Sequence, residues 1–111
     1  MMDERLLGLI SLCRRAGKLM VGFEPALESA VKGEAALILT ACDLSPKSHA
    51  RLLTKLSALE SPPRVAALPF TMEELSRITH RLTGICTVCD TGFAGGIEKL
   101  MMTDDEEDTT V

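Results

Sequence analysis

A chain of 111 residues that is 46% hydrophobic and 25% charged has the size and composition of one globular domain, which excludes several domains and disorder throughout. Its three aromatic residues are all Phe, so the core must be aliphatic, and a single-stranded nucleic-acid platform built on exposed rings is disfavoured. The formal net charge of −4 misleads: five acids form one run, 104–108, and the remaining chain carries 12 basic and 11 acidic residues.

Residues 3–15 place apolar side chains at Leu6, Leu7, Leu9, Ile10, Leu12 and Cys13, the stripe of an amphipathic helix that stops near Gly17. A short apolar piece, Leu19, Met20 and Val21, leads to Gly22 and to Pro25, which suits the first turn of a second helix running to Lys32. The unbroken apolar run 35–41 then reads as a strand buried on both faces.

Ser45 and Pro46 are a cap and first-turn pair, and Leu52, Leu53, Leu56 and Leu59 give a third helix its stripe. A second buried strand is expected over 64–68. Thr71 and Glu74 make the capping-box pattern that opens a fourth helix. Residues 85–89 read as another strand, and Thr91 can cap a last helix through Leu100, weakened by Gly92, Gly95 and Gly96. Helices alternating with buried strands predict an α/β fold with helices on both faces of a mostly parallel sheet. One domain over 1–101 is expected, followed by a disordered acidic tail over 102–111.

Several candidate sites reduce to structural roles. Cys86 and Cys89 have redox or zinc spacing, but residues three apart on a strand face opposite ways, and Cys13, Cys42, His49 and His80 offer no second ligand pair. They read as core cysteines, and no metal site is assigned. The glycines spell neither a dinucleotide fingerprint nor a phosphate loop, so no cofactor is expected. Asp43 and Asp90 stand at strand ends, where an acid or base would sit, yet either can simply cap the next element. Together these readings predict a protein that is not an enzyme.

Basic residues group more clearly. Arg14, Arg15 and Lys18 crowd the end of the first helix, while Lys47, Arg51 and Lys55 recur every four residues on the third. Each group forms one positive surface: a solvated helix face or a polyanion site. The apolar runs are too short to span a bilayer, so no membrane partner is expected. Acids precede the first apolar stretch and basic residues follow it, the reverse of a secretory signal, so a cytoplasmic location is expected.

From LLGLISLCRRAGKLMVG through ALESAVKGEAALILTACDLSPKS to CTVCDTGF, the chain resembles the L-seven-Ae and L-thirty-e superfamily of ribosomal and kink-turn RNA-binding proteins, most of all its bacterial YlxQ-type members. The resemblance spans residues 4–101. It implies a three-layer α/β/α sandwich on a mixed, mostly parallel four-stranded sheet with one strand opposed, and it adds a strand near Leu19. It also implies a monomeric module that binds structured RNA, ribosomal RNA included, in translation.

In the family, a Gly-x-Asn-Glu segment flanked by lysines opens helix two and reads a kink turn. Here Gly22 matches, Glu24 holds the asparagine position and Pro25 the glutamate position, while Val21 and Glu28 hold the lysine positions. The loop before helix four, here Leu68, Pro69 and Phe70, covers a base in the family. The RNA-binding residues implied are therefore Gly22, Phe23, Glu24, Pro25, Leu68, Pro69 and Phe70, joined by Arg14, Arg15 and Lys18 from the basic cluster. A second expectation keeps the fold as an adaptor for a protein partner, with Phe23, Leu68 and Phe70 as apolar anchors.

Overall fold

A computed structural model describes the backbone of residues 3–110 and the side chains of residues 4–102. The disorder expected of the acidic tail, 102–111, concerns a segment that falls, beyond Met102, outside the residues described in full. In chain order the elements are α1 (Asp3–Arg15), β1 (Leu19–Val21), α2 (Phe23–Val31), β2 (Leu37–Thr40), α3 (Pro46–Leu56), β3 (Arg64–Ala67), α4 (Met72–Thr79), β4 (Ile85–Val88) and α5 (Thr91–Thr110).

The four strands form one sheet in the order β1-β4-β2-β3. Alternation along the two inner strands divides the core. Leu37 and Leu39 of β2, with Cys86 and Val88 of β4, meet Leu6, Ile10, Leu75 and Ile97 from α1, α4 and α5. Ile38 and Ile85 face the other way, onto Ala26 and Ala30 of α2 and Leu52 and Leu56 of α3. Both strands are buried at all four positions, which is why their sequences are apolar runs rather than alternating ones. Burying each of these Leu or Ile side chains contributes about 1.5–3 kcal/mol.

The sheet is mixed rather than mostly parallel. Only β2 and β3 pair in parallel, whereas β4 runs antiparallel to both β1 and β2. The opposed strand lies inside the sheet, so a single reversal produces two antiparallel pairings. Nor is β3 doubly buried: it occupies an edge, with Arg64 and Ala67 exposed.

The capping signals appear where the sequence places them. Ser45 Oγ accepts from Ser48 N at 3.1 Å, with Pro46 in the first turn of α3. Thr71 Oγ1 accepts from Glu74 N at 3.1 Å while Glu74 Oε1 accepts from Thr71 N at 2.8 Å, completing the capping box of α4. At α5 the cap is Asp90 rather than Thr91, since Asp90 Oδ1 accepts from Phe93 N at 3.0 Å. Asp43 has a similar role at longer range, its Oδ1 accepting from Met72 N at 2.9 Å at the start of α4. Both aspartates at strand ends thus serve backbone termini.

Candidate functional site

Gly22 joins β1 to α2 with φ 113° and ψ 165°, a conformation essentially restricted to glycine. Its N–H donates to Ile85 O at 2.9 Å, fastening the turn to the first residue of β4. No side chain caps α2, so the first turn of this helix presents backbone N–H groups without a side-chain partner. Phe23 follows, half-buried, with the Arg51 guanidinium 4.5 Å from its ring centroid. This contact joins the basic stripe of α3 to the start of α2, an association no local pattern announced. Glu24 and Glu28 are exposed, and Pro25 is half-buried.

On the other side of Pro25 lies an open cleft of about 540 Å³. Its floor is the β1 strand, Leu19, Met20 and Val21, and its cationic walls are Arg14 and Arg15 from the end of α1 and Arg81 from the turn after α4. The fold therefore brings together Arg14, Arg15 and Pro25, three residues singled out in the sequence, and adds Arg81, which sequence reasoning missed. All three arginines are exposed, and none forms an ion pair with another described residue. Lys18 is exposed in the turn that leads into β1 but does not line the cleft.

Arg81 is held by a local device. His80 ends α4 in the left-handed conformation, φ 61°, and redirects the chain. The buried Thr79 hydroxyl donates to Arg81 O at 2.8 Å, lies 3.2 Å from Leu75 O, and is 3.4 Å from Arg81 N. Backbone on both sides of Arg81 is thus tied to α4 while its side chain stays free.

The loop before α4 differs from its expected role. Leu68 and Phe70 are each 2% exposed and belong to the main core, so Pro69 alone turns outward there. The Leu68 N–H donates to Thr40 O and the Cys42 N–H to Phe70 O, both at 2.8 Å, which clamps the loop beside β2. Neither side chain can cover a base or anchor a protein without leaving the core, and Phe23 is already engaged by Arg51.

The cysteines are all free. Burial pushes the Cys86 thiol up to about 12. Cys13 is raised to about 11, by burial first and then by the charge of Asp90 and by Cys89. Thiols so raised are poor nucleophiles at neutral pH. Of the histidines, His80 is exposed and His49 half-buried. Among the described residues, no helix is long and apolar enough to cross a membrane.

No family model and no curated protein matches the sequence. Solved structures do share the fold. A protein of unknown function from Bacillus halodurans superposes with a TM-score of 0.74 at 23% identity, covering 86% of this chain and 94% of that one. A 15.5 kD RNA-binding protein from Giardia lamblia superposes with a TM-score of 0.66 at 18% identity, covering 89% of each. At these identities the likeness is one of fold.

Proposed function

We propose that this protein is a non-enzymatic, ribosomal-protein-like RNA-binding module of the L-seven-Ae and L-thirty-e superfamily, recognising structured RNA in the cytoplasm in association with translation. The observation that carries the reading is the convergence of Arg14, Arg15 and Arg81, without carboxylate partners among the described residues, on one open cleft beside the uncapped start of α2. Guanidinium groups bind phosphate in bidentate fashion, and a free helix N-terminus adds backbone donors and the positive end of a dipole. A solved RNA-binding protein with the same fold supports the assignment. Asp43 and Asp90 are engaged in capping, which favours a binding role over acid–base chemistry.

The chemistry at the start of α2 sets the expected mode. Glu24 and Glu28 repel phosphate, and Pro25 lacks both an N–H and a base-reading side chain, so affinity rests on the arginines and on RNA shape. The test compares a kink-turn RNA, its straight-duplex control and a mixed structured RNA, with the protein as wild type and as the Arg14→Ala, Arg15→Ala, Lys18→Ala variant. Binding that weakens in the variant supports the reading. Equal binding by both proteins overturns it.

A further inference from the structure

The geometry points to the free edge of β1 as a phosphodiester site: it seats the backbone of an unpaired RNA segment on Arg14, Arg15 and Arg81. This inference rests on the RNA-binding reading and gives one part of that surface its ligand chemistry.

Three features of the cleft converge. First, β1 is an edge strand, and its pairing with β4 leaves backbone donors pointing outward. Cys89 N donates to Lys18 O at 2.8 Å and Gly22 N to Ile85 O at 2.9 Å. The Lys18 carbonyl and the Gly22 N–H therefore point at β4, and the alternation of an antiparallel ladder turns the backbone groups of Leu19 and Val21 outward at the free edge, where their N–H groups can donate to phosphate. Second, the positive charge comes from two separate elements, α1 and the turn after α4, so a ligand in the cleft can meet guanidinium groups from more than one element. Third, Met20 is 41% exposed although it is apolar, and it shares the cleft with Pro25. Apolar surface beside phosphate-binding groups suits a nucleotide, whose sugar and base lie next to its phosphate.

Size limits the ligand. Three strand residues span about 10 Å, room for one or two nucleotide units rather than a duplex. An added peptide strand would find only two outward-facing residues, too few for a stable ladder, and its carbonyl groups would gain little from three arginines. Thr79 acts here as a positioning residue, fixing the backbone of Arg81 through its hydroxyl.

The test measures affinity for an RNA hairpin with and without a short single-stranded extension, using the full chain, Arg81→Ala, and, as a control, Arg77→Ala on the exposed face of α4. Thermal unfolding of each variant shows that folding is retained. The extension is expected to tighten wild-type and Arg77→Ala binding about tenfold, and Arg81→Ala to lose that gain. With Arg81→Ala, the salt dependence on the extended RNA should fall by about 0.7 per lost contact. If the hairpin binds in a salt-dependent way but the extension adds nothing, or if Arg81→Ala keeps the full gain, the cleft assignment fails and the RNA-binding reading stands. If neither RNA binds, both fail. Arg81-dependent binding of an aspartate-rich peptide, with no gain from the RNA extension, would assign the cleft to an acidic protein segment and overturn the proposal.

Discussion

Replacing Gly22 with alanine should destabilise the protein, because holding a side-chain-bearing residue in a region reserved for glycine costs about 1–3 kcal/mol. The added Cβ would lie 3.4 Å from Pro25 Cδ and 3.8 Å from Pro25 Cγ, ordinary contacts, so no steric clash contributes. The cost is instead the backbone conformation, φ 113° and ψ 165°. Relaxing it would rotate the Gly22 N–H away from Ile85 O, giving up a 2.9 Å hydrogen bond of about 0.5–1.5 kcal/mol. Alanine also restricts the unfolded chain, offsetting about 0.4–1 kcal/mol, which leaves a net loss near 1–2 kcal/mol. For a domain of this size that lowers Tm by roughly 5–15 °C. Thermal and urea unfolding would measure it, with Gly95→Ala as the control. Gly95 lies in α5 with nothing within 4 Å of its Cβ position, so that change should stabilise by about 0.5–1 kcal/mol. A Gly22→Ala protein as stable as the wild type would refute the claim that this turn requires glycine.

The remaining predictions concern single side chains. Thr87 Oγ1 is buried without a hydrogen-bond partner among the described residues, so Thr87→Val, which keeps the branched shape, should raise stability by about 1 kcal/mol in urea unfolding; a loss of that size would mean the hydroxyl is satisfied. Thr71→Ala removes the acceptor for Glu74 N and should lower stability by about 1 kcal/mol, with hydrogen exchange speeding at the first turn of α4. The raised thiols of Cys13 and Cys86 favour the protonated native state. Their contribution is therefore full below the ordinary value of 9.0 and is lost as pH rises through about 11 and about 12. Unfolding midpoints should fall progressively above about pH 9, and a thiol reagent at neutral pH should modify exposed Cys42 long before Cys86. Rapid native-state modification of Cys86 would contradict its burial.

Much of this arrangement is legible in the sequence because it is local. The capping box at Thr71, the Ser45 and Pro46 start and the stripe of α1 each lie within a few residues of chain, and the apolar runs at Leu37–Thr40 and Ile85–Val88 mark the inner strands. Strand direction is not local. Nothing in ICTV distinguishes a parallel from an antiparallel β4, because either partner buries the same side chains. The burial of Leu68 and Phe70 goes with the backbone clamp of their loop to Thr40 and Cys42, pairings that no short motif encodes. Arg81 is the clearest case at the site itself. In the sequence it is an isolated basic residue after a helix, and it joins Arg14 and Arg15 only through the turn at His80 and the placement of β4 beside β1. The one usable hint was Thr79, a β-branched hydroxyl residue at a helix end, of a kind that often bonds nearby backbone.

The central claim is that the arginine cleft and the start of α2 bind RNA through phosphate. Its most direct test is the slope of log affinity against log salt for a structured RNA with an unpaired extension, measured for the wild type and for the Arg14→Ala, Arg15→Ala, Arg81→Ala variant. The account predicts a steep negative slope for the wild type and one shallower by about 2 for the variant, at about 0.7 for each lost contact to a single strand. Identical slopes for the two proteins, or wild-type affinity indifferent to salt, would contradict it.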